Sequence, residues 1–521
     1  MASPPLGTVT VTVNDNGASA AVAVPLSSLQ LKIGCCVAPG TGTVATIMAT
    51  QSPSALQTAL VAGPLLEAAG IVCNNGGTVV VATCPVATKG TATAPVAGAS
   101  NVGNAVLTAS VDATFGAWDV YYVLVKCTTA GTLGTAPGPS IAISLDAGRN
   151  YGVPVSLGTA LTYGIGATLN AVVAGGTGVQ LGFTTAQTMS VGDTWQFSTV
   201  AMTWNDAGVQ AAYNKYLASQ YAIAGVGSTH IVGISASGDI SNIQTYLQAG
   251  VAGFIFPRAL VELRDAGAPV AWGGSGETEA AWITALQTTA SGLTAQPRVC
   301  AGGGNYNTPS PYPGVGGGTF AYRRPGTWSQ AVRRTQIGLA TRAGAVIGGS
   351  YSTIAVNPGV DPGDGFVYHD ERITPGLLTA RIAALQTWPK QGAGFYQAQE
   401  PLLSANTSQF SELVIGNVID AASDIAYAVG VQWVSSALVV AANGTLDPVA
   451  RNKLQAKIQG GLQQGLIAPS PSLASSVTAT VSASANVLAT GNIPVTITVT
   501  PFGYANSVTF TINLNTSGVT T

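Results

Sequence analysis

The tightest constraint in this chain is a strict two-residue alternation close to each end. Ile493, Val495, Ile497 and Val499 alternate with Pro494, Thr496, Thr498 and Thr500, and Val508, Phe510, Ile512 and Leu514 alternate with Thr509, Thr511 and Asn513. Successive strand side chains point to opposite faces, so each run reads as a half-buried strand, and the two as a hairpin, 493–500 with 506–514. At the other end Val9, Val11 and Val13 alternate with Thr8, Thr10 and Thr12. That run stops at Asp15-Asn16-Gly17, with only the Ala-rich residues 20–24 as a weak hairpin partner. A strand without a neighbour offers unpaired N–H and C=O groups to another chain, so these termini predict a subunit woven into an assembly.

Charge points the same way. Charged residues are 8% of the 521 positions, against roughly 25% in ordinary soluble domains. Thr, Ser, Gly, Asn and Gln must therefore cover the surface. Such a chain either hides much of that surface against neighbours or is an extracellular Thr/Ser/Gly-rich protein. A net charge of -2 argues against nucleic acid as a main partner. No basic residue precedes Lys32 and residues 1–13 hold no continuous apolar run, so no cleavable signal is expected and synthesis is assigned to a cytoplasm. The 6 cysteines form neither a CxxC pair nor a zinc-ligand spacing and read as buried thiols. The uncharged stretch 425–442 follows Asp420 and Asp424 on one helical pattern with no flanking Lys or Arg, which favours a core helix over a membrane span.

Pattern along the chain divides it into parts, and the fold class expected is α+β and multidomain. Residues 1–27 form a strand arm. Segments 28–87 and 201–372 alternate strands and helices, a discontinuous α/β core with a mostly parallel sheet. Ser52-Pro53 opens a helix expected to kink at Gly63-Pro64. Residues 88–200 carry short apolar runs between Gly, Pro, Thr and Asn, an inserted, protruding β-sandwich. Residues 373–521 form a C-terminal assembly domain of helices and strands. Within these parts helices are expected at 329–340, 375–387 and 410–442, and another after Asp447-Pro448. Residues 469–485 are read as a low-complexity linker.

Catalytic patterns are sparse. His230 reads as a strand-end core residue. His369-Asp370-Glu371-Arg372 reads as a solvated loop or a salt-bridged subunit contact, having no second ligand at metal spacing. Gly273-Gly274-Ser275-Gly276-Glu277 lacks the order of a nucleophile elbow and reads as the cap of a helix starting at Glu277. Gly302-Gly303-Gly304 lacks a phosphate-loop context and reads as a flexible loop. No enzyme activity, metal or cofactor is expected. Arg323, Arg324, Arg333 and Arg334 gather in one short region, as a contact for an acidic partner or for neighbouring subunits. Lys453 and Lys457 flank the Leu454, Ile458 and Leu462 stripe of the helix after Asp447.

The order of parts resembles that of the contractile tail sheath proteins of bacteriophages and related contractile injection systems. It runs from a strand arm through an interrupted α/β core to a C-terminal helix and strand domain. Local echoes are Gly192-Asp193-Thr194-Trp195-Gln196-Phe197 and Pro501-Phe502-Gly503-Tyr504-Ala505. The resemblance implies a structural subunit, stacked helically as hexameric rings around a tail tube, that contracts to drive the tube through a target envelope. It implies strand exchange between copies, here through Val9, Val11, Val13, Val508, Phe510 and Ile512. It further implies a tube-facing helix, here carrying Lys453 and Lys457, with the arginine group as secondary contact. Implied partners are the chain itself, the tail tube protein, and baseplate and tail terminator proteins, without nucleic acid or membrane insertion. The implied location is a virion tail made in the host bacterial cytoplasm. Two rival readings are another self-assembling subunit, of a capsid or surface layer, and a secreted polysaccharide-active enzyme using Asp361, Asp364, Asp370 and Glu371.

Overall fold

The β-branched runs around residue 80 and their apolar counterparts after residue 228 are too short and too apolar for anything but strands covered on both faces, and they meet in one sheet. The structure is a computed structural model. It describes residues 29–38, 47–166, 176–314, 317, 319–359, 363–392, 394–405, 407–469 and 471–505. The alternating runs 8–13 and 506–514, and Asp361, lie outside the described residues.

The main sheet holds β1 (Leu29–Cys35), β2 (Ile47–Thr50), β3 (Thr78–Cys84), β4 (Ser228–Ile234), β5 (Ala259–Glu262), β6 (Val299–Gly302), β7 (Ile382–Gln386) and β8 (Tyr396–Gln399). Its order is β2-β3-β1-β4-β5-β6-β7-β8 in an 8-stranded sheet. The central pairs are parallel, and antiparallel β2 and β8 close its edges. β1 is buried at every position because helices lie on both faces.

α1 (Pro53–Leu60) starts where expected, with Ser52 Oγ accepting from the Ala55 N–H. The expected kink is a complete break, since Gly63 has a φ of 111° and α2 (Pro64–Asn74) begins afresh. α1 and α2 cover one face together with α6 (Gly326–Gln336). α3 (Asp206–Leu217), α4 (Ser237–Ala252) and α5 (Glu279–Ser291) cover the other. Thr278 rather than Glu277 lies at the head of α5, its Oγ1 accepting from the Ala281 N–H, while Glu277 pairs with Arg264 at 2.7 Å. Gly302-Gly303-Gly304 is not a free loop. Gly302 ends β6, and Gly303 is packed so closely that a Cβ would lie 3.0 Å from Leu377.

The helix expected at 375–387 is instead one short turn, Leu378–Ala380, followed by β7. Arg381 sits at a φ of 58°, which ends any helix there, and Ile382, Ala383, Ala384 and Leu385 are buried on both faces of the sheet. The core therefore continues well past residue 372. The C-terminal unit starts near α7 (Leu413–Val431) and adds α8 (Pro448–Leu462), β9 (Ser476–Val481) and β10 (Val495–Thr500). α7 is long and apolar enough to cross a membrane by composition, but half of that stretch is buried inside the protein.

Between Thr91 and Val200 every regular element among the described residues is a strand. A six-stranded sheet includes Tyr122–Thr129 and Thr194–Val200, and a three-stranded sheet joins Leu107–Val111, Thr162–Gly164 and Val179–Phe183. Leu107 and Leu181 from one sheet share a core with Val125, Ile141, Trp195 and Phe197 from the other. Phe320 and Tyr322, from outside the unit, complete that core. The unit's ends lie together, the Ala87 N–H donating to the Thr203 C=O at 2.8 Å.

Candidate functional site

The C-terminal unit is a two-stranded sheet laid on two helices. β9 and β10 pair antiparallel from Ser476↔Thr500 to Val481↔Val495. The partner expected at 506–514 lies outside the described residues, and a strand stands within the expected linker 469–485. Val477, Ala479, Val481, Ile497 and Val499 point inward against Leu454, Ile458, Leu462 and Ile425, while Thr478, Thr480, Thr496 and Thr498 face out.

Asp447 Oδ1 caps α8 by accepting from the Val449 and Ala450 N–H groups, as its sequence position predicts. Opposite the buried stripe, Val449, Lys453, Ala456, Lys457 and Gly460 form an exposed row. Lys453 and Lys457 are thus accessible, and their role at a tube is taken up below. Every Asp and Glu among the described residues is buried or half-buried, so the fully exposed charges there are cations, Lys126, Lys215, Lys390, Lys453 and Lys457 among them.

Arg323, Arg324, Arg333 and Arg334 are at most 6% exposed, so the expectation of a surface contact is corrected. Arg323 donates twice to Asp265, at 2.6 and 2.7 Å. Arg324 holds Glu67 on α2 at 2.6 Å and Asp119 of the β unit at 3.1 Å. Arg333 donates to the carbonyls of Gly348, Gly349 and Ser350, and Arg334 pairs with Glu400. The carboxylate partners lie far away in sequence, so nothing in the local pattern marked these arginines as internal.

The histidines are internal as well. His230 lies between Lys32 Nζ (2.8 Å) and Glu262 Oε1 (2.9 Å) on the adjacent strands β1, β4 and β5, and Trp328 Nε1 donates to the same Glu262 oxygen. Burial pushes Lys32 down to about 7 and Glu262 up to about 7. His230 was expected at a strand end in the core. The core placement holds, but no sequence signal announced its charged neighbours. His369, expected in a solvated loop or subunit contact, is fully buried between Glu279 and Glu371, each at 2.8 Å. Glu371 also accepts from the N–H groups of Gly376, Leu377 and Leu378. Asp364 pairs with Arg149, and Asp370 accepts from Thr387. The carboxylates of the polysaccharide-enzyme reading are therefore occupied inside the protein, apart from Asp361, which is outside the described residues.

No family model matches the chain, and no curated protein matches it in sequence. Among solved structures it is similar to the sheath tail protein of Desulfitobacterium hafniense, at 10% identity over 87% of this chain and 86% of that one, with a TM-score of 0.38. It is similar to the PVC sheath complex of an extracellular contractile injection system in the contracted state, at 8% identity over 99% of both chains, TM-score 0.46. It is also similar to the contracted helical sheath of the anti-feeding prophage, at 11% identity over 99% of this chain and 100% of that one, TM-score 0.42.

Proposed function

We propose that the chain is the structural subunit of a contractile tail sheath. Copies stack as helical rings around a tail tube and contract to drive it through a target envelope, with baseplate and terminator proteins at the ends. The observation that carries this is the β9/β10 sheet. Two strands alone are marginally stable, and this pair has a threonine face, a buried apolar face and, among the described residues, no third strand. The run 8–13 repeats the same pattern, with Val9, Val11 and Val13 matching the inward row and Thr8, Thr10 and Thr12 the outward one. A second copy's arm, added to this sheet, links subunits through main-chain hydrogen bonds that survive rigid-body rotation of the rings.

On this reading the β unit is an outward-facing inserted sandwich and the exposed row of α8 faces the tube. The expected exchange role of Val508, Phe510 and Ile512 remains part of the proposal. The experiment is truncation. Deleting residues before Asp15, or after Asn506, leaves a soluble folded chain that no longer forms long polymers by negative-stain microscopy. Tubes of normal length from both shortened proteins refute strand exchange, and closed shells or flat lattices from the intact chain favour a capsid or surface-layer subunit.

A further inference from the structure

A cavity lies at the seam between the core and the β unit. It encloses about 50 Å³, and its wall includes Glu67 on α2, Asp119 and Tyr121 of the β unit, and Tyr322 on the strand Ala321–Pro325. That is room for more than one water-sized occupant. All four residues are at most 8% exposed. The two carboxylates share one guanidinium: Arg324 donates to Glu67 Oε2 at 2.6 and 3.0 Å and lies 3.1 Å from Asp119 Oδ2. Two ionised acids against one arginine leave a single negative charge in a buried place, where an unbalanced charge is costly.

Oxygen atoms are left over as well. Glu67 Oε1 makes no hydrogen bond of ordinary geometry, since the Ser310 hydroxyl beside Glu67 is turned to accept from the Tyr312 N–H at 3.3 Å. Neither the Tyr121 nor the Tyr322 hydroxyl makes a hydrogen bond among the described residues. Burial keeps both phenols neutral, so each offers oxygen lone pairs to the cavity. No His or Cys lines it, and an all-oxygen wall suits a hard cation.

We propose that this cavity is a site for one monovalent cation of Na+ or K+ size, held by Glu67 Oε1 and the hydroxyl oxygens of Tyr121 and Tyr322 while Arg324 keeps Glu67 Oε2. One positive charge balances the one left by Arg324, and the bound ion joins α2 to the β unit. The docking of that unit then depends on which salt is present, beyond ordinary screening. A proton is the competing occupant. Burial pushes Glu67 up to about 7 against the pull of Arg324, with Asp119 adding to the rise, and burial lifts Asp119 as well, with Glu262 adding to it. Binding therefore strengthens as pH rises through about 7, because the ion needs an ionised Glu67.

Thermal melts of the full-length chain in KCl, NaCl or choline chloride at equal ionic strength test this, choline being too large for the cavity. At pH 8 either alkali salt is expected to raise the melting temperature by at least ~2 °C over choline, and by less than half as much at pH 6. Glu67→Gln removes the surplus charge and should abolish the difference between salts. Tyr121→Phe, a milder change, should reduce it. Should Glu67→Gln fold poorly, hydrogen exchange of the unaltered chain decides: residues 62–68 and 117–123 should exchange more slowly in KCl than in choline chloride, with β7 unchanged. Equal melting in all three salts, a difference that persists in Glu67→Gln or is the same at both pH values, or stabilisation by CaCl2 alone overturns the assignment.

Discussion

Asp420 on α7 is the charge that fastens the C-terminal unit to the sheet. It is 5% exposed and receives two guanidiniums: Arg258 at 2.5 and 3.2 Å, and Arg298 at 3.0 and 3.3 Å. Burial pushes Arg258 down to about 10, with Asp420 the main group holding it up. Asp420→Asn leaves two buried cations facing one neutral amide, and breaking a buried pair costs about 3–5 kcal/mol. Because Asp420 sits at the junction, the loss should be local. Hydrogen exchange of α7, α8 and β10 should accelerate while β1 and β4 stay protected. Replacing all three at once, Asp420→Leu with Arg258→Met and Arg298→Leu, should recover most of the loss, since an apolar trio carries no desolvation penalty. Asp420→Asn costing under about 1 kcal/mol in urea titration, or a triple variant worse than the single one, would refute the assignment.

Further expectations follow from the same interior. Replacing residues 88–200 by a short Gly/Ser linker joins ends that already lie together. It also uncovers Phe320 and Tyr322, 1% and 6% exposed, so the product should aggregate unless both become Ser, checked by light scattering. Lys453→Glu with Lys457→Glu should leave the melting temperature unchanged but weaken tube-templated assembly, more so at low salt. Normal extended tails at every ionic strength would reduce the pair to a solvated face. Burial and the neighbouring Asp420 push Asp424 from 3.8 up to about 7, so native protein favours its protonated form. Its ionisation therefore lowers stability as pH rises from about 4 to about 7, and Asp424→Asn should be neutral at pH 4 and stabilising at pH 8 by roughly 1–2 kcal/mol in thermal melts.

What was legible in the sequence was whatever depends on near neighbours. The cap at Ser52, the Asp447-Pro448 start of α8 and the inward alternation of β10 all hold as read. The misreadings share a cause in context. Residues 476–481 alternate like a strand, but with Ala479 and small hydroxyls the pattern resembles low complexity until Ile497 is opposite. Leu377, Leu378, Ile382 and Leu385 fit helical spacing, and only a sheet covered on both faces makes 382–386 a strand. The arginine group was misplaced because Arg324 finds Glu67 across 257 positions. Gln455 and Gln459, whose amides bond to the backbone of β9, carried no signal at all, since a glutamine on a polar helix face looks solvated until β9 lies under it.

The placement of charge bears on what kind of contacts an assembly of this chain makes. The interior pairs Arg324–Asp119 and Arg258–Asp420 tie the β unit and the C-terminal unit to the core, so large motions are expected between copies rather than within one. Outside, the fully exposed charges among the described residues are positive. Half-buried carboxylates such as Asp206, Asp239 and Asp447 also reach solvent, and at physiological salt interactions between surface charges are screened within about 8 Å. On the sheath reading proposed above, adhesion between copies comes mainly from main-chain ladders and apolar contact, which charge screening does not weaken. On the same reading Lys453 and Lys457 meet the tube through weak, exposed ion pairs. A structure held laterally by backbone pairing and radially by weak, screened charge can release its centre while keeping its links, which is the mechanical requirement of contraction.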